Sequence, residues 1–183
     1  MAKKGGKKTK SLERRQPGKA EAAIDELAEQ PGPKVNVRFL YVMCNDVGLM
    51  RDFYSDVLGM SELNFRDDEN FGWAVYDTEG FQLMFFRWDS ELPFEERWAW
   101  QPGEAPENSA PLMSFSLEYT EDELRDVVKR VREVDLPAAT EKPTWRQNSY
   151  WGWTIKDPMG NTIELFSSVQ QQPKEGETPE WVD

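Results

Sequence analysis

From residue 35 onward, apolar residues come in short runs separated by polar punctuation. Val37 to Cys44 (VRFLYVMC) is short and strongly apolar, which predicts a strand buried on both faces. Asn45-Asp46 offers an N-cap to the segment after it. There Leu49, Met50, Phe53, Tyr54, Val57 and Leu58 recur at helical spacing, and Gly59 suits the position just past a helix end. Ser61 to Phe65, Phe71 to Asp77 and Phe81 to Arg87 read as three strands, the last two joined by a turn at Glu79-Gly80. The order is strand, helix, three strands.

The same order recurs. Leu112 to Glu118 predicts a strand, and Thr120 with Glu123 forms a capping box for a helix over Glu121 to Val134. Ala138 to Glu141, Tyr150 to Lys156 and Thr162 to Phe166 predict strands, with a turn at Asp157-Pro158-Met159-Gly160-Asn161. Phe71–Phe86 set against Trp151–Phe166, an offset of 80, matches Gly72 with Gly152, Trp73 with Trp153, Asp77 with Asp157, Gly80 with Gly160 and Phe86 with Phe166. Two units are too few for a solenoid, so the reading is two modules sharing one core. The boundaries expected are a basic tail with a short helix (1–34), a first βαβββ module (35–88), a Trp-rich acidic connection (89–111), a second βαβββ module (112–169) and a C-terminal tail (170–183).

Composition narrows the chemistry. The chain has 183 residues, one cysteine (Cys44) and no histidine. The usual neutral-pH base is therefore missing, and a Cys/His zinc site cannot be assembled from one chain. A lone cysteine fits a reducing compartment, and the expected location is cytoplasmic. No apolar run approaches the roughly 20 residues of a membrane span. The net charge of −12 hides a split: residues 1–19 carry eight Lys or Arg and one acid, +7, leaving −19 on the remainder. The acidic body repels a nucleic-acid backbone, so nucleic acid is expected to bind only weakly, through the Lys3–Lys19 tail.

Two stretches carry a resemblance. Asp46…Phe53-Tyr54-Ser55-Asp56-Val57-Leu58-Gly59-Met60 and Trp151-Gly152…Asp157-Pro158-Met159-Gly160-Asn161-Thr162-Ile163-Glu164-Leu165 are similar to motifs of the vicinal oxygen chelate superfamily. That superfamily includes glyoxalase I, extradiol dioxygenases, and fosfomycin and bleomycin resistance proteins. The resemblance implies an α+β fold in which two βαβββ modules form a curved, eight-stranded, barrel-like sheet with a central cleft. In metal-dependent members the ligands come from the first and last strands of each module. Here those positions hold Phe39, Met84 and Leu112 or Met113, and only Glu164 is of a ligand type. One carboxylate does not hold a divalent ion, so no metal and no cofactor are expected.

Strand alternation says what replaces the metal. If Leu40, Val42 and Cys44 face the helix, then Phe39, Tyr41 and Met43 face the cleft. Met84 and Phe86 join them, with Glu164 and Phe166 opposite and Trp73 and Trp153 in equivalent third-strand places facing either way. Cys44, on the helix side, reads as inert packing. Trp98 and Trp100 of the connection either close over a cationic aromatic ligand beside Glu95 and Glu96, staple the connection to the body, or bury in a homodimer contact. The expected function is metal-independent binding, as in sequestration, of a hydrophobic or aromatic small molecule. The alternatives are a superfamily enzyme (lyase, isomerase or dioxygenase) with a non-standard site, or a scaffold subunit with a filled cleft. Whether it is an enzyme stays open, leaning to no, and no catalytic residue is assigned.

Overall fold

The computed structural model describes residues 36–101 and 106–168. The expectations for the basic tail, its helix and the C-terminal tail lie outside the described residues. All the strands and helices of the described residues belong to a unit that begins at Val37. In chain order they are β1 (Phe39–Cys44), α1 (Val47–Arg51), β2 (Glu62–Asp68), β3 (Phe71–Asp77), β4 (Gln82–Arg87), β5 (Trp98–Ala99) and β6 (Ser109–Ala110). The second module adds β7 (Ser114–Glu118), α2 (Glu121–Glu133), β8 (Thr144–Arg146), β9 (Tyr150–Lys156) and β10 (Thr162–Ser168). After α1 the chain continues as a π-helical turn over Asp52–Val57 that places Phe53 and Tyr54 inside.

The strands form two four-stranded sheets, β1-β4-β3-β2 and β7-β10-β9-β8, with β5-β6 as a small pair. The eight expected strands are therefore divided between two sheets. In each, the first strand runs parallel to the last and forms one edge. The helix signals hold: Asp46 accepts from the Leu49 N–H, Thr120 and Glu123 form the capping box, and Gly59 carries a positive φ of 73° at the helix end.

The second strand of module two is a correction. The chain at Ala138 makes only an isolated bridge to Ile155. The sheet strand is Thr144–Arg146, which pairs with Tyr150–Gly152 across a tight turn whose Gln147 and Asn148 have φ of 50° and 53°. The Gln-Asn-Ser turn signal outweighs the weak apolar run before Pro143.

One core cluster contains the inner faces of both sheets and both helices: Val42, Cys44, Tyr54 and Phe85 from module one, Leu124, Val128, Ile155 and Leu165 from module two. Polar contacts tie the modules, among them a hydrogen bond from the Tyr119 hydroxyl to the Leu58 carbonyl at 3.1 Å. The Tyr54 hydroxyl donates to Asp157 Oδ2 at 3.2 Å, and Arg130 Nε donates to the Val57 carbonyl at 2.7 Å. Asp157 is fully buried, and desolvation holds its carboxyl above the ordinary range against the opposing hydrogen bonds from Asn161, Met159 and Tyr54. No helix among the described residues is long and apolar enough to cross a membrane.

Candidate functional site

Because the inner faces share a core, chemistry must be sought on the two outer faces. Their contents differ sharply. On the first sheet, strand pairing puts Tyr41 beside Met84, Met43 beside Phe86, and Trp73 opposite Phe86. The rings form a chain of tilted contacts: Phe39–Tyr41 at 5.9 Å, Tyr41–Phe86 at 5.5 Å, Phe86–Trp73 at 5.8 Å and Trp73–Phe71 at 6.0 Å. Phe39, Tyr41 and Met43 are 46%, 52% and 45% exposed, while Met84 is buried beside them. β1 is therefore buried on one face, not on both as its composition suggested. Alternation predicted the correct residues for each side. The thiol of Cys44 lies on the inner side, fully buried, and desolvation pushes it up to about 12, which fits inert packing.

The outer face of the second sheet is polar. Register puts Ser114 beside Thr162 and Ser116 beside Glu164, with Thr154 opposite Glu164. Ser114 therefore matches Phe39, because Phe39 pairs with Gln82 as Ser114 pairs with Thr162. The sequence assignment to Leu112 or Met113 is corrected by one or two residues: both precede β7, and Met113 is 67% exposed.

Glu164 is engaged from several sides. Arg146 Nη1 lies 2.8 Å from its Oε1, with the two side chains 2% and 8% exposed. Ser116 Oγ donates to Oε2 at 2.8 Å and the Tyr150 hydroxyl to Oε1 at 3.0 Å. Arg146 also reaches Thr154 Oγ1 at 2.9 Å and Thr144 Oγ1 at 3.1 Å. Gly152 makes this path possible, since a Cβ there would sit 2.8 Å from Arg146 Cδ. The guanidinium crosses the sheet over the bare glycine. Arg146 is the residue that the sequence reading missed. Its signal was the spacing from Glu164 across a hairpin, visible only once β8 had been placed.

A metal ion does not fit this donor set. Among the described residues no three of His, Cys, Asp and Glu gather. The four positions at which the resemblance implies metal ligands hold Phe39, Met84, Ser114 and Glu164, and the one carboxylate already pairs with a guanidinium. Hydroxyl and guanidinium neighbours are poor company for a divalent cation.

The expected tryptophans separate. Trp153 lies on the inner face, 3% exposed, its Nε1 donating to the Thr140 carbonyl at 2.9 Å. It does not reach an outer face as expected of a ligand residue. Trp73, its partner in the internal repeat, stays outside. The cause is a one-residue slip in register: Trp73 opposes Phe86, whereas Gly152 opposes Phe166 and Trp153 opposes Leu165. Trp98 stacks over the chain's own ammonium, Lys156 Nζ, 4.7 Å from the ring centroid. The cation beside this tryptophan thus belongs to the body of the protein. Trp100 is 60% exposed and borders an open hollow of about 560 Å³ with Ser109, Ala110, Pro111 and Leu112.

Phe166 pairs with Tyr150 at 5.5 Å. Among the described residues no ring contact or hydrogen bond joins this pair to the aromatic chain of the first sheet. The predicted ligand residues are therefore gathered into two sets, Phe39, Tyr41, Met43, Met84 and Phe86 on one sheet, Glu164 and Phe166 on the other.

Solved structures share this arrangement of modules. A glyoxalase/dioxygenase from Nostoc punctiforme superposes with a TM-score of 0.56 at 19% identity, over 73% of this chain and 91% of its own. A glyoxylase/bleomycin resistance protein/dioxygenase domain from Frankia sp. EAN1pec gives 0.54 at 13%, over 75% and 100%. The genomically encoded fosfomycin resistance protein FosX from Listeria monocytogenes gives 0.52 at 9%, over 76% and 97%. The fold is that of the vicinal oxygen chelate superfamily. No protein-family model and no curated protein matches the chain. At these identities the likeness is one of fold, and the superfamily fold carries many chemistries.

Proposed function

We propose that the protein is a metal-independent binder of a flat hydrophobic or aromatic small molecule, with the outer face of the first sheet as its platform. The observation that carries this reading is the continuous run of rings Phe39–Tyr41–Phe86–Trp73–Phe71, with adjacent centroids 5.5–6.0 Å apart and its β1 members half exposed. Contiguous exposed apolar surface of this kind marks an interaction site more often than chance. Rings held by their neighbours offer stacking at little ordering cost. Met43, 45% exposed, supplies adaptable surface on the same face, with Met84 buried beside it.

The metal-free part of the reading is supported by Phe39 and Met84 in two inherited ligand positions and by the Arg146 pairing of Glu164. The positive charge that a ligand-bound cation would bring to the carboxylate is supplied by the chain itself.

The test is a titration of 2-naphthol and of the cationic dye proflavine, read by tryptophan quenching and thermal shift. Binding should weaken about 5- to 150-fold in Tyr41→Ala and Phe86→Ala, as for loss of one aromatic anchor worth about 1–3 kcal/mol. Neither probe binding the parent protein, or full binding retained in both variants, counts against this platform. Binding lost only in Trp100→Ala would move the ligand to the hollow beside the connection.

A further inference from the structure

The connection between the modules lies against the outer face of the second sheet, and the way it is held is unusual. Lys156 is 2% exposed, yet its hydrogen bonds go to main-chain carbonyls: Glu95 O at 2.5 Å, Arg97 O at 2.9 Å and Gly160 O at 3.1 Å. These use all three donors of the ammonium. Trp98 and Phe94 present their rings to the same nitrogen at 4.7 and 5.6 Å. Further anchors are the Ala99 N–H donating to Thr162 Oγ1 at 2.9 Å, Gln101 Nε2 to Ser114 Oγ at 2.6 Å, and the Glu95 N–H to the Met159 carbonyl at 3.3 Å. Gly160 has φ of 84°, and a Cβ there would lie 2.6 Å from the Glu95 nitrogen and oxygen, so only glycine allows this approach.

The groups that receive the segment, Lys156, Thr162 and Ser114, form one row across β9, β10 and β7. The next row holds Thr154, Glu164 and Ser116. The segment therefore covers the end of the face that carries the Arg146–Glu164 pair. Its own apolar burial is thin. Within residues 94–101 only Ala99 and Gln101 are buried, while Phe94 and Trp100 are 45% and 60% exposed. A segment held by one cation, a few hydrogen bonds to the sheet and the short β5–β6 pairing (Trp98 N–H to Asn108 O at 2.9 Å, Trp100 N–H to Ala110 O at 3.1 Å), and scarcely by core packing, belongs to the low-stability end of a fold.

We propose that residues 94–101 form a cover that opens from the second sheet as a unit, without unfolding of the core, and that Lys156 is its latch. Opening breaks the three carbonyl contacts together, because one nitrogen makes them all. It exposes the Lys156, Thr162 and Ser114 row, which borders the row of the buried Arg146–Glu164 pair. Desolvation pulls the Lys156 ammonium below its ordinary pKa, opposed by the charges of Glu95, Asp157 and Glu96, which agrees with a cation held by dipoles and ring faces. This inference is independent of the ligand reading, and its test needs no ligand.

The experiment is hydrogen exchange by NMR on the full chain, comparing the parent with Lys156→Met, which keeps an unbranched apolar stem and removes the charge and donors. In the parent, the amides of Glu95 and Ala99, which donate to Met159 O and Thr162 Oγ1 of the second module, should exchange at a common opening rate at least about tenfold faster than those of Ile155, Ile163 and Leu165. In Lys156→Met the same two should speed up at least about tenfold more, while the core amides stay within about twofold. Exchange of the segment only together with the core in the parent would overturn the cover. Unchanged exchange in folded Lys156→Met would overturn the latch. If that variant does not fold, Thr162→Val removes the Ala99 anchor alone and must accelerate the Glu95 and Ala99 amides together; acceleration of Ala99 only would also refute opening as a unit.

Discussion

Replacing Arg146 by Met should strand a carboxylate inside the second sheet. Glu164 would keep its hydroxyl donors, Ser116 at 2.8 Å and Tyr150 at 3.0 Å, but lose the guanidinium 2.8 Å away. Its side chain is 8% exposed, so water cannot substitute. Breaking a buried pair by removing one partner costs about 3–5 kcal/mol. At roughly 3 °C per kcal/mol for a domain of this size, Tm should fall by about 9–15 °C. Glu164→Leu alone should also destabilise the fold, because it removes the carboxylate 2.8 Å from a guanidinium that is 2% exposed. The double variant removes both charges and fills the space with apolar atoms, a change often close to neutral. Its cost should fall short of the summed singles by at least about 2 kcal/mol, read from urea unfolding in a double-mutant cycle. Additive single costs, or single costs below about 1 kcal/mol, would refute the argument that the two groups neutralise each other in a dry site.

Further outcomes follow from the same geometry. Gly152→Ala should cost about 1–3 kcal/mol by overpacking, since its Cβ would meet Arg146 Cδ at 2.8 Å, and the loss should shrink in the Arg146→Met background if the clash is the cause. Elemental analysis of purified protein should find far less than one equivalent of zinc, iron, nickel or manganese; near-stoichiometric metal that disappears in Glu164→Ala would contradict the donor-set argument. Thr120→Ala should cost about 1 kcal/mol by opening the capping box of α2, measured by urea unfolding, with Thr120→Ser nearly neutral. Asp157 has a folded pKa above its unfolded value, so its contribution favours the native state at acid pH and is lost as pH rises from about 4 through the folded pKa. Stability of the parent relative to Asp157→Asn should accordingly decline over that interval and then level off; a difference independent of pH would refute the assignment.

Much of this architecture was legible because its signals are local. Apolar alternation in Phe39–Cys44 named both faces of β1, the Thr120/Glu123 pair marked the start of α2, and Gly59 and Gly160 marked positive-φ positions. What could not be read depends on pairing between strands. The internal repeat aligns Trp73 with Trp153 and Gly72 with Gly152 at a fixed offset of 80, but β3 and β9 pair with their neighbours one residue apart. Side chains alternate faces, so this single step sends one tryptophan out and the other in. The same step turns Gly72 inward, where a Cβ would meet Val47 Cγ1 at 2.9 Å, and turns Gly152 outward beneath Arg146. Identical residues in a repeat thus serve different ends, and only the ladder reveals which.

That step also connects the two outer faces to their different chemistry. With Gly152 in the row occupied by Trp73 in the first module, the second sheet has a bare strip across its centre wide enough for a long side chain to lie flat. Arg146 uses it to reach Glu164, and serine stands beside that strip where β1 has phenylalanine and tyrosine. The first sheet, with Trp73 filling the corresponding row and Met84 in the place of Glu164, has no carboxylate to neutralise at that position and presents rings to the outside. A carboxylate at position 164 without Arg146 would lose the guanidinium that faces it in a buried site. A guanidinium placed opposite Met84 would have no carboxylate to receive it. The polar pair and the aromatic platform are thus each consistent with their own module's register, and exchanging Met84 and Glu164 between the modules should destabilise both sheets.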